Sequence, residues 1–148
     1  MAVRKWLVWA VLALAGCEAA PQSDITPDMT FQQALDTALD SCLTSLDVTG
    51  SDTASIQDKV EAAERCDRNA TAVLDGIPSS QWTNPFCRQY VESHRELARW
   101  VIREGPSVFT AAGGEPASEE MRQSYIRSAS LQAQVSENLT RCREAASY

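Results

Sequence analysis

FQQALDTALDSCLTSL, residues 31–46, carries apolar or small side chains at Phe31, Ala34, Leu35, Ala38, Leu39, Cys42, Leu43 and Leu46. These positions fall on one stripe of a 3.6-residue helix, the pattern of a helix that faces a core. Asp36, Asp40 and Asp47 occupy its outer side. Thr30 with Gln33 has the spacing of a capping box, and Thr26 with Pro27 offers an earlier start. After Leu46 the run VTGSDT breaks the pattern, with Gly50 at the turn.

The same period recurs downstream. A second helix is expected from Ala54 to Asp75, with Ile56, Val60, Ala63, Ala70, Val73 and Leu74 inward, Cys66 at the edge of that face, and Gly76 and Pro78 ending it. Asn84 and Pro85 open a third as N-cap and first residue. Its apolar side holds Cys87, Tyr90, Val91, His94, Leu97, Ala98 and Val101, opposite Arg88, Glu92, Arg95, Glu96, Arg99 and Arg103. Gly105 and Pro106 close it, and Ser107 to Glu115 reads as a loop with an exposed Val108 and Phe109. A last helix is expected from Ser118 to Ala146, with Met121, Ser124, Tyr125, Ser128, Leu131, Val135, Leu139 and Cys142 inward and Glu119 and Glu120 in its first turn. No strand pattern or internal repeat appears. The expected fold is all-α, an antiparallel four-helix bundle over residues 28–148.

The N-terminus has another character. Arg4 and Lys5 precede an uncharged run from Trp6 to Ala15, too short for a membrane span, which needs about 20 apolar residues. Leu14, Ala15, Gly16 and Cys17 follow, and this segment resembles the lipobox signal of bacterial lipoproteins. The resemblance covers only the signal. It implies removal of residues 1–16, a diacylglyceryl group on Cys17, and acylation, palmitate included, of the new amino terminus. By similarity to enterobacterial lipoproteins, Glu18 in place of Asp implies delivery to the outer membrane, facing the periplasm. Residues 17–27 then read as a lipidated N-terminus and flexible tether; the eight residues after Cys17 span at most ~28 Å.

Of five cysteines, Cys17 would carry lipid, leaving Cys42, Cys66, Cys87 and Cys142. Four cysteines in an exported chain are expected to form two disulfides. The preferred pairing is Cys42 with Cys66 and Cys87 with Cys142, the latter joining the start of helix three to the end of helix four. A height mismatch of about seven residues, or ~10 Å, weighs against the first pair. The alternative joins Cys66 to Cys87 and Cys42 to Cys142. The spacings contain no CxxC or CxxH pair, so no metal site is expected.

The chain of 148 residues has a net charge of −7. Without residues 1–16 it holds 11 basic and 20 acidic residues, a net −9. From Cys17 to Asp58 there are eight acidic residues and no basic one. This balance excludes nucleic acid as an expected partner. The single histidine, His94, is expected to be buried and bonded to Ser124, Ser128 or Tyr125. Haem ligation is not expected, as no CxxCH motif exists. Acidic pairs such as Asp36 with Asp40 lie along helical faces rather than converging on a cleft, so no catalytic residues and no cofactor are assigned. Asn69 and Asn138 head glycosylation-type triplets to which a bacterial lipoprotein gives no role.

Trp82, Trp100 and Phe109 are candidates for an exposed contact surface, with at least two of them packed at bundle ends. The expected function is a non-enzymatic, membrane-anchored protein-binding or accessory module of the cell envelope, meeting an unidentified protein partner through Trp100, Val108 and Phe109. The alternative is an inhibitor or immunity lipoprotein that neutralises a toxin or hydrolase, with the acidic first helix entering a basic cleft.

Overall fold

The computed structural model describes residues 21–111 and 118–145. Cys17 and the signal-like segment lie outside the described residues. Among the described residues the fold is all-helical: α1 (Phe31–Gly50), α2 (Ile56–Gly76), a 3-10 turn (Ser79–Gln81), α3 (Pro85–Arg103), α4 (Gly105–Thr110) and α5 (Glu119–Ala145). No described helix is long and apolar enough to cross a membrane.

Local chemistry sets the starts. The Thr30 hydroxyl accepts from the Gln33 backbone while Gln33 Oε1 accepts from the Thr30 N–H at 2.9 Å, a complete capping box. Ser55 and Asp58 do the same for α2. Asn84 Oδ1 caps α3 by accepting from the Phe86 N–H at 2.9 Å, and its Nδ2 donates to Cys142 O at 3.1 Å. One asparagine thereby ties the start of α3 to the last turn of α5.

Two helical segments depart from expectation. Val48, Thr49 and Gly50 belong to α1, because Lys59 Nζ donates to Thr49 O at 2.9 Å and to Ser51 O at 2.8 Å. A cation thus satisfies backbone carbonyls at the helix end. Cys42 and Cys66 then stand eight and ten residues from the turn, and the expected height mismatch largely disappears. Both preferred disulfides form, Cys42 to Cys66 and Cys87 to Cys142. GPSVFT, read as loop from Ser107, is the short helix α4. It turns off α3 directly: the Gly105 position is crowded by the Phe109 ring, leaving no room for a Cβ.

The tether reading also changes from Ser23 onward. Asn69, 1% exposed on α2, accepts at Oδ1 from the Asp24 backbone N–H at 2.8 Å and from the Ser23 hydroxyl at 3.0 Å. Its Nδ2 donates to Asp24 Oδ2 at 2.8 Å, and Arg65 Nε reaches the same oxygen at 2.6 Å. Residues 23–25 are therefore docked on the domain.

The centre is built from small residues. Ala34 and Ala38 on α1, Ala63 and Ala70 on α2, and Ala98 on α3 are all buried, which allows close helix approach around the Cys42–Cys66 bond. Helix α1 packs on α2, α2 on α3, and α3 on α5, with α3 also touching α1 and α4. Among the described residues α1 and α5 make no contact. The helices therefore do not close into a ring, and a groove runs between α1 and α5 with α3 as its floor.

Candidate functional site

The α1/α5 groove encloses about 540 Å³. Its walls include Ser45, Leu46 and Thr49 of α1, Val108 and Phe109 of α4, and Tyr125, Ser128, Gln132 and Val135 of α5, over His94, Leu97 and Val101 of α3. No charged side chain lines it. This follows from sequence: the stripe 42, 45, 46, 49 of α1 holds no acid, and the charges of α3 point the other way.

The residues expected to form an exposed contact surface are largely enclosed. Trp100 and Val108 are 4% and 3% exposed, and Phe109 is half-buried. The Phe109 ring meets Trp100 edge-on at 6.3 Å, and Lys59 Nζ sits 4.9 Å from its centroid. These three form the closed end of the groove rather than a protruding surface, because α4 folds Val108 back onto the core. Trp82 is likewise buried, edge-on to Phe31 at 5.3 Å.

His94 is buried as expected, but its expected partners are engaged elsewhere. The Ser124 hydroxyl accepts from Trp100 Nε1 at 3.1 Å and donates to Glu104, which also pairs with Arg127. The Ser128 hydroxyl donates to Tyr125 O at 2.9 Å within its own helix. Tyr125, on the groove wall and 37% exposed, does not hydrogen-bond to His94 Nε2. His94 Nε2 is left without a hydrogen-bond partner, with the Tyr90 ring 4.6 Å away edge-on. Burial holds the imidazole pKa down at about 4, so it is neutral at pH 7.

A second feature lies on the outside of α1. Leu43, expected inward, is 48% exposed. It occupies one stripe with Asp36, Asp40 and Asp47, all exposed and none of them in a salt bridge among the described residues. The signal was present in the sequence: position 43 lies at the margin of the apolar arc, closer to 36, 40 and 47 than to the Ala34–Ala38 line at 100° per residue. Asn69, read only as the head of a glycosylation-type triplet, is too buried to accept a glycan and serves as the dock for Asp24.

Among the described residues no cluster of three or more His, Cys, Asp or Glu side chains is arranged to hold a metal. No protein-family model matches the chain, and no curated protein or solved structure matches it.

Proposed function

We propose that this chain is a lipoprotein, anchored through Cys17 to the outer membrane and facing the periplasm, whose helical domain is a non-enzymatic protein-binding or accessory module. The lipobox-like residues support the anchor, and the pairing of the four other cysteines fits an oxidising compartment. In this reading the four long helices are an antiparallel bundle left open on its α1/α5 side.

The observation that carries a partner-binding role is the outer stripe of α1. An exposed leucine framed by three carboxylates has the composition of a contact centre with a charged rim. It takes the place of Trp100, Val108 and Phe109 as the proposed partner surface. The complementary surface is cationic with an apolar recess.

The same stripe favours a second reading, an inhibitor or immunity lipoprotein seated in the basic cleft of a toxin or hydrolase. Crosslinking of the lipidated protein in intact cells tests both. A stoichiometric complex with a cationic enzyme, dissolved by salt, supports the inhibitor. A complex that survives salt but is lost in Leu43→Asp supports the accessory module. Capture of only nonspecific envelope proteins counts against both. For the anchor, a Cys17→Ser variant that still partitions into membranes as a lipidated species overturns the assignment.

A further inference from the structure

The two disulfides stand in opposite surroundings. Cys42 and Cys66 are each 1% exposed, enclosed by the buried alanines of α1, α2 and α3. Cys87 and Cys142 are half-buried, at the end of the molecule where α3 begins and α5 stops. An external thiolate must reach a sulfur to exchange with it, so access decides which bond opens first. Loop length acts on the unfolded chain and does not shield a bond in the folded one.

What the outer bond holds is also distinct. Helix α5 packs on α3 and α4, and among the described residues it touches neither α1 nor α2. Its first half is fixed by Ser124 against the Trp100 indole and by Arg127 on Glu104. Its second half is tied to α3 by the disulfide, by Asn84 Nδ2 donating to Cys142 O at 3.1 Å, and by Asn138 Nδ2 donating to Gln89 O at 3.4 Å. Val135 is the one apolar side chain that α5 buries among the described residues, with Leu131 and Leu139 half-buried beside it.

The two sulfurs are not equivalent. Cys87 is the third residue of α3, where the positive end of the helix dipole favours a thiolate, whereas Cys142 lies in the last turn of α5, where the dipole opposes one. Cys87 is therefore the better leaving group, and Cys142 the sulfur attacked. Arg141 and Arg143 flank Cys142 and draw an anionic thiolate to it, Arg141 standing over the Phe86 ring at 5.8 Å.

We propose that Cys87–Cys142 is a thiol–disulfide exchange site for an external dithiol, and that opening it releases the second half of α5 from α3 while the core around Cys42–Cys66 stays folded. The incoming thiolate forms a bond to Cys142 Sγ as the Cys87–Cys142 bond breaks, and Cys87 departs with the electron pair as a thiolate. The second thiol of the reagent, losing its proton, attacks the reagent sulfur bonded to Cys142. This closes the reagent's own disulfide and releases Cys142, which takes up the proton. The protein disulfide gains two electrons and the dithiol loses two. The site is separate from the α1 outer stripe and does not depend on its role.

The test uses the full chain, with any free thiol first blocked by iodoacetamide. Reduced glutathione, a monothiol that stops at the mixed disulfide, is added at about pH 8, quenched with N-ethylmaleimide, and its position mapped by peptide mass. The expected result is glutathione on Cys142 and maleimide on Cys87. Both should appear at a rate linear in glutathione and at least about tenfold faster than any label on Cys42 or Cys66. With dithiothreitol instead, Cys87 and Cys142 should both become thiols, and amide exchange should rise in residues 131–145 while α1 and α2 keep their protection. Equal rates at the two disulfides, a rate independent of thiol concentration, glutathione chiefly on Cys87, or unchanged exchange in 131–145 after reduction overturns the proposal.

Discussion

Asn69 and Asp24 hold each other across 45 positions of chain: Asn69 Oδ1 accepts the Asp24 backbone N–H, and Asn69 Nδ2 donates to the Asp24 carboxylate, each at 2.8 Å. With Arg65 on the same carboxylate, this joins the segment before α1 to the middle of α2. The Asn69 bond, then that of Arg65, keeps the Asp24 carboxyl below its usual pKa.

Replacing Asn69 by Ala removes three hydrogen bonds around a buried side chain. The expected cost is about 2 kcal/mol, measured by urea unfolding. Limited proteolysis should cut near Ser23 and Asp24 faster in the variant while the helical core stays intact. Equal cutting rates would show that the segment is held by other contacts.

His94 makes stability depend on pH in a defined window. Its folded pKa of about 4 is below the free value of 6.5, so between these values the unfolded chain binds a proton that the folded chain does not. Stability should be unaffected by His94 above pH 6.5 and fall by about 3 kcal/mol as pH drops to 4. The carboxylates with lowered pKa, Asp24, Asp28, Asp58 and Glu119, lose their contribution only below 4.5. His94→Gln should flatten the upper window alone, as read from urea midpoints across pH.

The disulfides should differ in consequence. Their separations of 24 and 55 residues give about 3–4 kcal/mol each in the chain-entropy model, the longer loop more. Helix α5 buries only Ser124, Ser128 and Val135 among its described side chains, each still slightly exposed, so it relies on Cys142 more than α2 relies on Cys66. Cys87→Ser with Cys142→Ser should speed amide exchange throughout α5 and leave α2 protected. Cys42→Ser with Cys66→Ser should lower the global unfolding midpoint without that selectivity.

Gly105→Ala tests the α3/α4 corner. A Cβ there would lie 2.7 Å from Phe109 Cε2, so the ring must move away from Trp100 and Lys59. The expected loss is about 1 kcal/mol, with a change in the aromatic circular dichroism from Trp100. An unchanged spectrum would place the adjustment in the backbone instead.

Much of this architecture is legible in single residues. The Thr30 to Gln33 box and the Asn84–Pro85 start are local chemistry, and they hold in the structure because caps depend on neighbours three residues away or fewer. The burial of Tyr90, Val91, His94, Leu97, Ala98 and Val101 follows from period alone, since α3 has its charges on the other side. The burial of Trp100 does not, because it arises from α3 having neighbours on several sides, with α5 and α4 meeting that indole. Lys59 prolonging α1 was equally hidden, as its two acceptors lie eight and ten positions upstream.

By itself the sequence determined the helical class, the starts of α1 and α3 and the neutral lining of α1 and α3, and it favoured the cysteine pairing that forms, because each rests on spacing within one helix or on the order of helices along the chain. Tertiary structure alone decided that α1 and α5 stay apart, that Ser124 serves Trp100 rather than His94, and that Leu43 faces out among carboxylates. Those outcomes depend on which helices meet and on competition among hydroxyls for the same donors. Periodicity carries no information on either, since it states which face is apolar and not what will cover it.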